Sequence, residues 1–126
     1  MSFGYSAGVR IHHLAFRTQD MPRLERFYVD VLGLAALRRD GARSVWLDAA
    51  GSILMLERSE DAESGIAADS KELVCFAISA REHAGFLERL EAAGVPIEAR
   101  TTYTLYFRDP DGRRIGLSSY PEAPTG

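Results

Sequence analysis

Along residues 11–17 apolar and polar side chains alternate, with Leu14 and Phe16 on one side and His13, Ala15 and Arg17 on the other. A period of two belongs to a half-buried strand. The period then lengthens: Leu24, Phe27, Tyr28, Val31 and Leu32 recur at helical spacing and form one apolar stripe. The segment Thr18–Pro22 reads as the start of that helix, with Asp20 able to cap it and Pro22 tolerated in its first turn. Gly33 ends it, where a left-handed conformation suits glycine. Three short strands follow at Leu34–Arg38, Ser44–Asp48 and Ser52–Glu57, with turns at Asp40-Gly41 and Ala50-Gly51. From Ser59 to Lys71 the chain is rich in Ser, Asp, Glu, Ala and Gly without periodicity, and reads as a linker.

The pattern then starts again at Glu72. Leu73-Val74-Cys75-Phe76-Ala77-Ile78 repeats the first strand. Ser79 and Glu82 fit a capping box. Phe86, Leu90 and Ala93, with Leu87 beside them, predict a helix that stops at Gly94. A short strand is expected at Pro96–Arg100. Tyr103–Arg108 and Arg114–Ser119 form a hairpin around Asp109-Pro110-Asp111-Gly112, and Pro121–Gly126 reads as a frayed tail.

The two passes align at an offset of about 60 residues: His13 falls on Leu73, Phe16 on Phe76, Trp46 on Tyr106, Gly51 on Gly112 and Leu56 on Leu117, with Gly33 and Gly94 one step further apart. The fold class is therefore α+β, as one domain of two βαβββ modules (9–58 and 72–120, joined by linker 59–71) in pseudo-twofold repeat. They would form a cup-shaped mixed sheet with helices on the outer face. Alternation turns Val45, Leu47, Leu54, Leu56, Leu105, Phe107, Ile115 and Leu117 toward the helices. It turns His13, Arg17, Trp46, Asp48, Met55, Glu57, Leu73, Cys75, Tyr106, Arg108 and Ser118 toward the concavity. A face mixing aromatic, apolar and charged groups is either a small-molecule pocket or merely solvated, and leaving Trp46, Met55, Leu73 and Tyr106 wet is costly.

Composition narrows the classes. A length of 126 residues with 46% hydrophobic content suits one globular domain. A net charge of −3 offers no basic footprint for nucleic acid. No apolar run reaches membrane-spanning length, and Met1–Gly8 carries no export signal, so a cytoplasmic setting is expected. The single cysteine, Cys75, fits that compartment and is more simply inert than nucleophilic. Arg17, Arg108, Asp48 and Glu57 form a charged rim for a polar ligand, or else pair among themselves or lie in water. His13 is either a hydrogen-bonding or general-base residue or a satisfied histidine on a sheet face. His12 is expected to face the other way with a structural role, and His83 to be exposed.

His13-Leu-Ala-Phe, then Asp20, then Phe27-Tyr28-Val-Asp-Val-Leu-Gly33, and finally Phe107-Arg108-Asp109-Pro110-Asp111-Gly112 together resemble the vicinal oxygen chelate superfamily. That group includes glyoxalase I, bleomycin- and fosfomycin-resistance proteins and extradiol dioxygenases. The resemblance implies two βαβββ modules forming a cup, often completed in a homodimer. It also implies a divalent metal held by first- and last-strand residues of each module. Those positions map onto His13, Met55, Leu73 and Gly116, a set with one imidazole and no carboxylate, so a metal cofactor is not expected. Trp46 and Tyr106 would flank a planar ligand, as in the drug-sequestering branch, or serve as ordinary core. The first reading is thus a metal-free cup that binds or sequesters a small organic molecule, with His13 as the one candidate catalytic residue. The alternatives are a lyase or dioxygenase using Ni, Mn, Fe or Zn on His13 and Glu57, and a metal-free enzyme with His13 as base.

Overall fold

The first strand, β1 (His13–Thr18), alternates as expected: Phe16 and Thr18 are buried, while His13, Ala15 and Arg17 are exposed. It is seen in a computed structural model that describes residues 8–125; Met1–Ala7, read for an export signal, and Gly126 lie outside the described residues. Helix α1 (Met21–Arg26) begins on Asp20, whose carboxylate accepts from the Arg23 amide at 3.1 Å. It runs on into a wider π-helical turn over Phe27–Val31, closed by the Leu32 amide on the Phe27 carbonyl at 3.1 Å. The turn lets two consecutive side chains, Phe27 and Tyr28, both point inward, packed edge to face at 5.2 Å. Gly33 stops the helix at φ +82°, and a β-carbon there would stand 2.9 Å from the Arg89 guanidinium.

The remaining strands of the first module are β2 (Ala35–Asp40), β3 (Ser44–Asp48) and β4 (Ile53–Arg58), in sheet order β1-β4-β3-β2. Only the β1/β4 pair is parallel. The second module repeats this plan with β5 (Leu73–Ala77), α2 (His83–Ala92), β6 (Ala99–Arg100), β7 (Thr104–Arg108) and β8 (Arg114–Ser118), in order β5-β8-β7-β6. Registers correspond: Trp46 faces Met55 as Tyr106 faces Gly116, and Val45 faces Leu56 as Leu105 faces Leu117. The fold is α+β, two βαβββ modules. The eight hairpin residues assigned to the helix side are at most 2% exposed and join Leu24, Phe27, Tyr28 and Leu90 in one core.

The Asp-Pro-Asp-Gly turn does more than reverse the chain. Asp109 is buried and accepts from Tyr28 Oη at 2.7 Å, Arg113 Nη1 at 3.2 Å and the amides of Asp111 and Arg113. Arg113 lies over the Phe16 ring at 4.7 Å and also donates to the Arg17 carbonyl. Arg23 donates to Asp111 and to the Pro110 carbonyl, both at 3.0 Å. A buried, fully bonded carboxylate thus bolts the second hairpin to the first module.

Several expectations are corrected. His83 is buried, 4% exposed, because the 3₁₀ turn Ala80–Glu82 leads into α2 so that Ala80, His83 and Leu90 share the inward face, while Ala93 is exposed. His12 is exposed rather than turned into the structure: β1 starts only at His13, and the two Nδ1 atoms stand 3.0 Å apart. The tail is held as far as Thr125 rather than frayed, since Ser119 Oγ donates to the Glu122 carbonyl and the Thr125 amide to that of Ala80, at 2.7 and 3.2 Å. In the Pro96–Arg100 stretch the strand covers only Ala99 and Arg100, with the Glu98 amide adding a bond to the Tyr106 carbonyl at 2.8 Å. Strand β2 begins and ends later than expected and carries a bulge between Ala36 and Arg38. The capping box of Ser79 and Glu82 is present as read.

Candidate functional site

Cross-strand pairing sets the open face of the first sheet in rows. One row holds Arg38, Trp46, Met55 and Ala15; the next holds Asp40, Ser44, Glu57 and Arg17; on the other side lie Asp48, Ile53 and His13. Above the first two rows lies a cavity of about 850 Å³, lined among others by Arg17, Arg38, Trp46, Met55 and Glu57. Of the eleven sequence-predicted residues it takes in Arg17, Trp46, Met55 and Glu57. His13 and Asp48 lie on the same face, and the His13 and Trp46 rings are nearly parallel, 16° apart with centroids at 6.4 Å. Asp48 accepts from the Ala50 amide at 2.8 Å, which shapes the turn after β3.

The second sheet carries the other predicted residues in matching rows: Tyr106 with Gly116 and Cys75, Arg108 with Arg114 and Leu73, Thr104 with Ser118 and Ala77. Leu73 and Cys75 line a separate cavity of about 410 Å³ together with Leu14 and Ile53 of the first module. The chain therefore divides the predicted set between two faces. Ser118 Oγ accepts from Thr104 Oγ1 at 2.8 Å.

Electrostatics sorts the charged candidates. Arg17 donates to Glu63 at 2.6 Å and to Glu57 at 3.1 Å. Held by the Arg17 guanidinium and the Glu60 amide, the Glu63 carboxyl falls to about 2. Since Glu63 belongs to the 59–71 segment, this pair clasps the linker onto β1. Arg108 is likewise occupied, by Glu98 at 2.7 Å and by the Ser70 carbonyl at 2.8 Å. Burial pushes the Cys75 thiol up, which disfavours the thiolate a nucleophile needs.

Two arginines that alternation alone did not single out stand over the aromatic residues. Arg38 lies over Trp46 at 5.5 Å and Arg114 over Tyr106 at 4.5 Å. Arg114 shares the face of Gly116 and Ser118, so strand parity could have found it. Arg38 could not be found that way, because the bulge reverses the parity of β2 ahead of it.

The donor set for a metal is poor. Met55 offers a thioether, Leu73 nothing, and a β-carbon on Gly116 would meet Cys75 Sγ at 2.9 Å and a Leu73 methyl at 3.5 Å. The alternative pair is spread out: His13 is in register with Ile53, four residues and about 13 Å from Glu57 along β4. Among the described residues no three His, Cys, Asp or Glu side chains converge. These residues do not fit a divalent ion.

The family model of the Glyoxalase/Bleomycin resistance protein/Dioxygenase superfamily matches residues 10–117. The chain belongs to this superfamily. Its fold recurs in a glyoxalase/dioxygenase from Nostoc punctiforme, with 24% identity over 90% of this chain and 92% of that one and a TM-score of 0.77. A lactoylglutathione lyase from Agrobacterium tumefaciens shares 20% identity over 90% and 95% of the two chains, with a TM-score of 0.70. The fosfomycin resistance protein FosX from Listeria monocytogenes, in a mutant form complexed with Mn(II) and a dihydroxypropylphosphonic acid, shares 18% over 90% and 91%, with a TM-score of 0.72. At these identities the likeness is one of fold. No helix among the described residues of this superfamily member is long and apolar enough to cross a membrane.

Proposed function

We propose that this superfamily member binds, and so sequesters, a small organic molecule in its cup without a resident metal. The observation that carries this reading is the fate of the four ligand positions, which hold His13, Met55, Leu73 and Gly116, with the space at Gly116 filled by its neighbours. One imidazole cannot hold a Ni, Mn, Fe or Zn ion against water. Affinity would come instead from enclosing apolar and aromatic groups, with a few charges for orientation. The working unit is a homodimer in the cytoplasm. Both concave faces are open in the single chain, Leu73 being 40% exposed, and a second copy would roof them.

A melting-temperature screen tests the reading, because a ligand of the native state raises Tm. Small aromatic acids and related organic molecules should raise it while Ni, Mn, Fe and Zn salts leave it unmoved. A rise with one of those metals alone, abolished in His13→Ala, would favour the metal-dependent lyase or dioxygenase instead.

A further inference from the structure

We infer that the molecule taken by the first module's cup is a planar organic anion, an aromatic or conjugated carboxylate, whose carboxylate is received by Arg38 while its flat part lies against Trp46. This rests on the binding-cup reading above and adds a ligand class to it.

The bulge in β2 is the starting point. Ala36 pairs with Leu47, so an unbroken ladder would put Leu37 opposite Trp46. The bulge between Ala36 and Arg38 inserts one residue, expels Leu37 to solvent at 58% exposure, and brings Arg38 opposite Trp46 instead. Bulges are known devices for re-aiming a side chain beside a site. Here one exchanges an apolar neighbour of the aromatic ring for a cationic one, and leaves a leucine in water to do so.

The state of Arg38 is the second observation. Arg17, which lines the same cavity, is taken up by Glu57 and Glu63, and the adjacent Arg39 by Glu25. Arg38 has no ion pair or side-chain hydrogen bond among the described residues; Arg43 and Arg58 of the same cavity are likewise without one, but it is Arg38 that lies over the Trp46 ring. A guanidinium 5.5 Å above a ring, with no other partner among the described residues, keeps its N–H fork free to receive a carboxylate through two parallel hydrogen bonds.

The row itself supplies the shape. From β2 to β1 it reads Arg38, Trp46, Met55, Ala15: a cation, a flat aromatic, a soft apolar side chain, then a small one. Three strand spacings make this row about 14 Å long. It matches a molecule with a charge at one end and one or two rings or a conjugated arm behind it. The cavity as a whole is balanced in charge, with Asp40, Glu57, Glu60 and Asp61 against Arg17, Arg38, Arg43 and Arg58, so the preference for an anion rests on the guanidinium beside the Trp46 ring.

Trp46 is the chain's single tryptophan, so its emission reports on this cup alone. The test titrates the full-length protein with benzoate, trans-cinnamate and 2-naphthoate, each against its uncharged amide, following Trp46 emission and, separately, heat of binding. The inference expects at least one acid to bind about tenfold or more tighter than its amide, the worth of one charge-assisted pair. That preference should vanish in Arg38→Gln and shrink in Arg38→Lys, which keeps the charge and loses the fork. Both variants are checked for an unchanged unfolding transition, and Arg38 is exposed, so the fold should survive. If acids and amides bind alike, or the preference persists in Arg38→Gln, anion recognition by Arg38 is overturned and the cup remains a binding site. If no acid or amide binds, this inference is overturned, while the binding-cup reading is decided by the broader melting-temperature screen.

Discussion

At Gly116 the side chains around a residue say more than the residue itself. The sequence shows a glycine where a carboxylate would be needed; the structure adds that Cys75 and Leu73 occupy the space. Gly116→Ala should therefore destabilise by about 1–3 kcal/mol through overpacking. Cys75→Ala in the same chain should restore most of it, as read by urea unfolding; two costs that simply add would mean the contact is unimportant. His83 was legible as a residue but not as a buried one, since an imidazole at a helix start looks polar. Burial, then the positive charge of Arg100, lowers its pKa, and its Nε2 has no partner. The unfolded chain therefore binds the proton more readily, and stability should fall as pH drops through 6.5 toward the lower folded value. His83→Leu should flatten that slope, with Tm rising more at pH below 6 than at pH 8; equal shifts at both would contradict the assignment.

At the scale of elements, regular features follow from local signals in the sequence and irregular ones do not. The Asp20 cap, the Ser79/Glu82 box and the stop at Gly33 are chemical signals carried by single residues, and all three are present. Ser79→Ala should cost about 1 kcal/mol in chemical unfolding. The bond from the Ser79 amide holds the Glu82 carboxyl below its usual range, so the box contributes above the ordinary carboxylate pKa and fades as pH falls through the lowered one. Glu82→Ala, which removes that carboxylate, should therefore cost less in acid than at neutral pH; a cost independent of pH would argue against the reciprocal bond. By contrast, the π-helical turn at Phe27–Val31 and the bulge in β2 are set by tertiary packing, and nothing in a period of two or of 3.6 announces them. The bulge hid Arg38 from the sequence, because parity arguments fail past an inserted residue.

For the whole molecule, the repeat made the architecture legible, and the joint between modules was not. Asp109-Pro110-Asp111-Gly112 reads as a turn, yet Asp109 also accepts from Tyr28 across the module boundary and from Arg113 within its own module. Asp109→Ala would leave the buried Tyr28 hydroxyl and two turn amides without their acceptor and Arg113 with Asp111 as its one carboxylate, and should cost about 3 kcal/mol, well beyond a turn substitution. A loss below 1 kcal/mol in denaturant unfolding would refute that role. The same view explains why the candidate site was only half legible: alternation placed each residue on its face, but not the two faces relative to one another. Enclosure in place of coordination is the proposal on which the rest turns. The most direct test is elemental analysis of untagged protein purified from cells grown with added Ni, Mn, Fe and Zn. Far less than one ion per chain is expected, the same in wild type and His13→Ala. One tightly held ion per chain, lost in His13→Ala, would contradict it.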